Sequence, residues 1–187
     1  MRIAKETLMP LSFRRLVTGR DAHGKSKLIE DTQIQEGRLG NFNFWRTELG
    51  SITNDGELAG EDFPFFANPG GTVFRIFRLP AAQPAKTEQE LRELAAAFFS
   101  EIAVPSCRVD TSRHPFMHVT PTTDYIVLLS GEVSLLLDAG EPIALRPFDA
   151  VVQRSTNHAW INTGSDAAIL MAVMIGQAYS PKHADMQ

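Results

Sequence analysis

The second half of the chain contains a dense series of short apolar segments separated by turn residues. Glycine, proline, asparagine or aspartate interrupts the chain between successive segments from about residue 108 to residue 178. The predicted strands are DYIVLLS (124–130), EVSLLLD (132–138), EPIALR (141–146), AVVQR (150–154), HAWIN (158–162) and AAILMAVMIG (167–176). Strands of this length at such regular spacing are typical of an antiparallel sandwich or barrel, so the series predicts an all-β fold.

The first part of the chain adds further extended segments. FRRLVTG (13–19) and KSKLIED (25–31) flank the turn sequence RDAHG (20–24) and predict a hairpin with glycine at its tip. The aromatic-rich FNFWRTEL (42–49) and the segment TVFRIFRLP (72–80) each predict a strand. We therefore divide the chain into an N-terminal strand-rich extension, residues 1–70, and a barrel, residues 71–187.

One helix is predicted at about residues 87–103, within the barrel region. Thr87 and Glu90 have the spacing of a capping box, in which each side chain satisfies a free backbone N–H at the helix start. The apolar residues that recur at helical spacing, and so predict one buried face, are Leu91, Leu94, Ala95, Phe98 and Ile102. We expect this helix to pack on the outside of a sheet.

Composition excludes several classes of protein. The 187 residues carry a formal net charge of −4 without a basic cluster, which argues against nucleic acid as the main partner. Cys107 is the only cysteine, so neither an internal disulfide nor a cysteine-based zinc cluster can form, and we expect a small buried or half-buried side chain. No apolar run approaches the roughly 18 residues that span a membrane, and the N-terminus lacks the apolar stretch of a signal peptide. The prediction is a cytoplasmic protein.

Three polar side chains are candidates for a common site. Side chains alternate faces along a strand, so His118 and Thr120 point to the same side. Asp124 opens the next strand, and His158 opens a later one with Trp160 on its own face. If these strands form a barrel, we expect His118, Asp124 and His158 to converge near one mouth. Two imidazoles and one carboxylate suit a divalent transition metal with open positions, and a metal-free polar network is the alternative.

The stretch from His118 to Asn162 resembles the two sequence motifs of the cupin superfamily. The first motif reads G-x5-H-x-H-x3or4-E-x6-G, and its marked positions are taken here by Ser112, His118, Thr120, Asp124 and Gly131. The second motif ends P-x-G-x2-H-x3-N, and its marked positions are taken by Gln153, Ser155, His158 and Asn162. Pro147-Phe148-Asp149 stands where Pro-Gly-Asp is usual.

This resemblance implies a double-stranded β-helix, or jelly-roll barrel, with an N-terminal strand extension and one flanking α-helix. A typical metal-binding cupin uses three histidines and a glutamate, whereas this chain has Thr120 at one histidine position and Asp124 at the glutamate position. The metal set that the resemblance implies is therefore His118, Asp124 and His158, with iron, zinc, manganese or nickel, or a barrel that has lost its metal. A subgroup of bacterial and fungal cupins has the same H-x-T-x3-D-Y pattern and an R-R-x-V-T-G segment like residues 14–19.

The function that we predict is metal-dependent catalysis on a small organic molecule inside the barrel, of dioxygenase, decarboxylase or isomerase type. One alternative is a metal-free enzyme of epimerase or isomerase type, in which His118 or His158 acts as base and Asp124 orients it. The other alternative is a barrel that binds a small ligand without turnover. The further residues predicted for the pocket are His114, Phe116, Thr120, Trp160 and Arg154. Because the N-terminal strands at 13–49 could cover the barrel edge of a second subunit, we expect a homodimer.

Overall fold

The structure of the protein, a computed structural model, is built mainly of antiparallel strands. It describes residues 11–49, 63–81, 87–102 and 104–177. The elements are β1 (Ser12–Arg20), β2 (Ser26–Gln35), β3 (Asn41–Thr47), β4 (Thr72–Leu79), α1 (Glu88–Glu101), β5 (Thr122–Ser130), β6 (Val133–Leu137), β7 (Ile143–Leu145), β8 (Ala150–Arg154), β9 (His158–Asn162) and β10 (Ala168–Gly176). The predicted hairpin and strands all form, each within a few residues of its expected bounds.

The strands form three sheets. A five-stranded sheet has the order β3-β4-β10-β5-β8, a three-stranded sheet has the order β7-β6-β9, and β1 and β2 form a separate hairpin. Every paired neighbour is antiparallel. The expected all-β fold with one helix is therefore confirmed.

The main core lies between the five-stranded and three-stranded sheets. Ile126 and Leu128 of β5 and Leu170 of β10 are at most 4% exposed, and Val133 contributes from the opposite sheet. Burial alternates along all of β10 and along β5 from Thr122 to Leu129, since even-numbered residues there face the interior. The same alternation carries Asp124 into the barrel, so the apolar pattern of β5 also decides where its carboxylate lies.

The hairpin covers part of the outer face of the five-stranded sheet. Phe13 and Ile34 at the base of the hairpin pack in one cluster with Phe42 and Phe44 of β3. The buried Arg15 donates to the Phe44 carbonyl at 2.9 Å and so ties the hairpin to β3. Strand β3, from the predicted extension, pairs along β4, while the division of the chain at residue 70 stays a prediction.

Helix α1 begins after Thr87 with the expected capping box and ends at Glu101. Its buried face is centred on Ala95 and Phe99, which is 1% exposed. Leu94, by contrast, is 44% exposed, so the prediction that Leu94 belongs to the buried face was wrong. Residue 103, where the predicted helix ended, lies outside the described residues. Within the described ranges, no helix has both the length and the apolar character required to cross a membrane.

The turns keep the backbone that the cupin motifs lead one to expect, even where glycine is absent. Gly131, the closing glycine of the first motif, has a φ of 92°. Phe148 and Ser155 stand at positions where the motifs usually have glycine, and both have a positive φ, 75° and 50° respectively. A residue with a Cβ is strained in this left-handed region, so the fold imposes a glycine-like conformation on two other side chains.

Candidate functional site

His118 and His158 lie side by side inside the barrel. The backbone N–H of His118 donates to the His158 carbonyl at 2.9 Å, and the return bond from His158 to His118 is 3.0 Å. This isolated bridge joins the segment ahead of β5 to the start of β9. The centroids of the two imidazole rings are 4.5 Å apart, so two histidines distant in sequence share one site.

Each imidazole is oriented by a backbone carbonyl. Nδ1 of His118 lies 2.9 Å from the Phe116 oxygen, and Nδ1 of His158 lies 2.9 Å from the Thr156 oxygen. A carbonyl can only accept, so Nδ1 carries the hydrogen in both rings and the Nε2 lone pairs remain available. Burial lowers the pKa of His118, and burial together with the neighbouring His118 lowers the pKa of His158 to about 3. Both rings are therefore neutral near pH 7.

Asp124 is the acidic member of the site and is almost completely buried. Thr120 Oγ1 donates to Asp124 Oδ2 at 3.4 Å, and Thr122 Oγ1 donates to Thr120 Oγ1 at 2.8 Å. The other carboxylate oxygen, Oδ1, is buried without a hydrogen-bond partner. Burial raises the pKa of Asp124 to about 6, against the lowering influence of the two threonine hydroxyls and Arg75. A buried carboxylate oxygen without a partner is costly, and it is therefore available to a ligand or an ion.

The donor chemistry of these residues suits a metal ion better than their spacing does. Neutral imidazole nitrogens held by second hydrogen bonds, and an unpartnered carboxylate oxygen, are the usual protein ligands of iron, zinc, manganese and nickel. Within the described ranges, however, no three or more His, Cys, Asp or Glu side chains are grouped closely enough to hold an ion. The imidazole pair thus has the donor chemistry that a metal needs, while Asp124 does not complete a group of three ligands in this arrangement.

A cavity of about 960 Å³ surrounds the site. His118, Asp124 and His158 line it, together with the predicted pocket residues His114, Phe116, Thr120 and Trp160. The Trp160 ring lies 5.6 Å from the ring of His158. Leu91, Leu94 and Phe98 of α1 also line the cavity, so the exposed side chain of Leu94 forms part of the cavity wall.

Arg154, the remaining residue predicted for the pocket, is exposed and is not among the residues that line the cavity. The register of β8 is the reason: Gln153 is buried, so the next side chain, Arg154, points to the opposite face. Cys107 is a buried free thiol, as expected from the sequence.

Sequence reasoning missed the charged residues Arg75, Arg78 and Glu101 of the cavity wall, of which Arg75 is buried among the core residues of β4. Arg75 lies on β4 between Val73 and Phe77, which have the same parity and pack against the main core. The same alternation rule that places Asp124 inside the barrel would have placed Arg75 there too. Arg75 is 4% exposed, and burial lowers its pKa to about 10.

Comparison with known proteins connects this architecture to a family. No family model matches the chain. A stretch of 51 residues, 27% of the chain, is 49% identical to Phomopsin biosynthesis cluster protein C' of Diaporthe leptostromiformis and spans 27% of that protein. Another stretch, 58 residues or 31% of the chain, is 36% identical to the cupin-domain-containing oxidoreductase srdD of Neurospora crassa and spans 30% of it. The matched part of the chain is similar to cupin-domain proteins.

A third protein with a similar stretch is the cupin-domain-containing oxidoreductase fogC of Aspergillus ruber, 38% identical over 53 residues, or 28% of the chain and 26% of that protein. The matches thus span between about a quarter and a third of the curated relatives' lengths. Among solved structures, the chain is similar to an RmlC-like cupin with a double-stranded β-helix from Methanocaldococcus jannaschii (TM-score 0.38, 14% identity, 64% of this chain and 80% of that one). It is also similar to the Schizosaccharomyces pombe Cnp3 cupin domain (TM-score 0.40, 8% identity, 93% and 95%).

Proposed function

We propose that this protein is a cupin enzyme that acts on a small organic molecule in the cavity, with a divalent transition metal bound by the Nε2 atoms of His118 and His158. The observation that carries the proposal is the pair of Nδ1–carbonyl hydrogen bonds, which leaves both Nε2 lone pairs free on neutral, adjacent rings. Two of the relatives are named oxidoreductases, which supports oxidoreductase chemistry. The dioxygenase, decarboxylase and isomerase types expected from the sequence stay part of the proposal.

Asp124 is the third ligand in this proposal, through its unpartnered Oδ1. Its carboxylate has to turn within the cavity, and the long 3.4 Å hydrogen bond from Thr120 to Oδ2 is weak enough to permit such a movement. A metal bound here would act as a Lewis acid or as the site of redox chemistry. The protein's own part is to hold the two imidazoles in one tautomer and to exclude water with the apolar cavity wall.

A metal-content measurement tests this proposal. The protein is purified without a histidine tag or added metal, reconstituted separately with iron, zinc, manganese and nickel, and analysed for bound metal beside a His118→Ala/His158→Ala variant. His23→Ala, which removes an exposed histidine at the hairpin turn, is the matched control. We expect close to one metal per chain in the parent and control proteins and a loss of at least about tenfold in affinity in the double variant. Absence of bound metal from the parent under every condition would overturn the proposal.

Metal-free acid–base chemistry is the second candidate function. The absence, within the described ranges, of a group of three ligands close enough to hold an ion favours it. Asp124, rather than either histidine, is then the better proton carrier, because burial raises the pKa of its carboxyl to about 6 while it lowers the pKa of both imidazoles below their usual value. Substrate turnover that survives exhaustive chelation but is lost in Asp124→Asn would establish this candidate over the metal enzyme.

We also propose that the protein forms a homodimer through the outer face of the five-stranded sheet and the hairpin. Tyr125 and Val152 are paired neighbours on this face and are 49% and 59% exposed, and Leu16 and Leu28 of the hairpin are 53% and 52% exposed. Exposed apolar side chains on these two surfaces favour a protein partner, and a second copy of the chain supplies both surfaces. Light scattering should give twice the mass of one chain, and Leu16→Glu/Leu28→Glu should give a single chain. A monomeric parent protein would contradict this.

A further inference from the structure

Arg75 gives the cavity a permanent positive charge. Its side chain faces the interior from β4, next to Ala172 of β10, and it lines the same cavity as the histidine pair. Asp124 is the acidic group that attracts it electrostatically, and it lies on the other side of β10, next to Met174. Within the described ranges, no carboxylate forms an ion pair with Arg75. The guanidinium is thus buried without direct neutralisation, which is unusual for a charged side chain.

The segment ahead of β4 fixes the position of this guanidinium. One terminal nitrogen of Arg75 donates to the Pro64 carbonyl. Phe63 and Phe65 are the sequence neighbours of Pro64. The centroids of their rings lie 5.8 Å and 5.6 Å from the guanidinium carbon of Arg75, within the range of cation–π attraction. These contacts hold the charge in place, but they leave Nε buried without a hydrogen-bond partner.

A fixed, desolvated guanidinium with an unpartnered N–H is the arrangement that binds an anion. The histidines of the cavity are neutral, and the other arginine that lines it, Arg78, is paired with Glu36. Among the described residues of the cavity wall, Arg75 is therefore the one available cation. A single cation suits a singly charged carboxylate better than a phosphate, which needs several positive partners. The rest of the wall is largely apolar, with Phe77, Phe98 and Trp160 among its aromatic members.

We propose that the cavity takes a small organic acid with an apolar, ring-bearing body, and that Arg75 binds its carboxylate. The cavity volume of about 960 Å³ accommodates a molecule of two fused rings or more. As a statement about the substrate, this inference rests on the proposed function, because the acid would be the molecule presented to the histidine site. As a statement about binding, it rests on Arg75 alone.

Calorimetric titration with a matched pair of probes tests the inference. 2-Naphthoate carries the carboxylate, and 2-naphthamide has nearly the same shape without the charge. We expect 2-naphthoate to bind the parent protein at least about tenfold more tightly than 2-naphthamide, as a charge-assisted hydrogen bond to a buried guanidinium requires. In Arg75→Gln the affinities for the two probes should agree within about twofold. Arg92→Gln, which removes an exposed arginine from α1, is the control and should keep the parent's preference.

The outcomes separate this inference from the proposed enzyme. Equal affinity for the two probes in the parent, no binding of either, or an undiminished preference in Arg75→Gln would overturn it. If Arg75→Gln does not fold, Arg75→Lys retains the charge without the Nε donor and should lose part of the preference; an unchanged preference in Arg75→Lys would also overturn it. In His118→Ala/His158→Ala the preference for 2-naphthoate should persist while metal is lost. A preference for the acid in a protein that never binds metal would therefore support Arg75 and reject the metal enzyme.

Discussion

The backbones of His118 and His158 hydrogen-bond to each other in both directions, and this bridge holds the two imidazole rings 4.5 Å apart in the barrel. Neither ring position depends on the other's side chain, because each Nδ1 is fixed by a carbonyl of its own segment. One imidazole can therefore be replaced without moving the backbone that positions the other. This independence makes single histidine variants informative about both stability and binding.

The first prediction concerns the stability of the metal-free protein in acid. The pKa of His158 is about 3 in the folded protein and near 6.5 in an unfolded chain, so between these values only the unfolded chain binds the proton. The free energy of unfolding must then fall as the pH falls from 6.5 towards 3, by up to about 1.4 kcal/mol per pH unit for this group. His158→Asn removes this dependence, so the variant should gain stability relative to the parent as the pH is lowered.

Urea unfolding in the presence of a chelator, from pH 7 to pH 4, measures this difference. The comparison with the parent is needed because Asp124, with its pKa raised to about 6, acts oppositely: the folded protein holds its proton between about pH 4 and 6. His23→Asn, at the exposed hairpin turn, should show no change relative to the parent across the range. A His158→Asn curve parallel to the parent curve would contradict the prediction.

The second prediction concerns the strained turn between β7 and β8. Phe148 has a φ of 75° and is 79% exposed, so its side chain gains little from packing while its backbone is strained. Phe148→Gly should raise the free energy of unfolding by about 0.5–1 kcal/mol relative to Phe148→Ala, which keeps the Cβ. Thermal or urea unfolding measures this, and a glycine variant no more stable than the alanine variant would show that the turn is not strained.

The third prediction compares two apolar residues of α1. Phe99 is 1% exposed and packs with Ala95 and Cys107, and its ring lies 5.2 Å from that of His118. Phe99→Ala should lower the free energy of unfolding by about 3–5 kcal/mol, because it leaves a cavity under the helix. Leu94→Ala should cost less than about 1 kcal/mol, since Leu94 is already 44% exposed. Equal losses in urea unfolding would mean that the helix packs with its other face inward.

The fourth prediction separates backbone strain from crowding at two glycines. A Cβ at Gly131 would lie 2.7 Å from both Cα and Cβ of Ala168, whereas a Cβ at Gly140 would meet no atom within 4 Å. Both residues have a positive φ, so Gly140→Ala should cost about 1 kcal/mol through the backbone alone. Gly131→Ala should cost a further 1–3 kcal/mol or so because of the steric overlap. Similar losses in the two variants would mean that the β5–β6 turn can shift to admit the methyl group.

Most of the fold could be predicted from the sequence, because strand and turn signals are local. The turn residues bracket each strand of the barrel, and Thr87 with Glu90 sets the start of α1 without any help from the rest of the chain. Which face of helix α1 is buried was harder to predict. Leu94 and Phe99 are both apolar, and only the position of the helix against Cys107 and Phe116 decides that Phe99 is buried and Leu94 is not.

For the candidate site, too, some features follow from the sequence and others only from the tertiary structure. Parity along an extended segment is a local property, so the sequence by itself predicted that His118 and Thr120 point to the same side. The tertiary structure brings both of them into the wall of one cavity with Trp160. Alternation along β4 also gives Arg75 the interior parity of Val73 and Phe77. Only the tertiary structure decided that this interior face borders the same cavity and that Arg154 stays outside it, because these positions depend on which strands are neighbours and in what register. It also decided that Asp124 stands apart from the two imidazoles as they are placed, because separations of a few ångströms between strands depend on packing, which leaves no periodic trace in the chain.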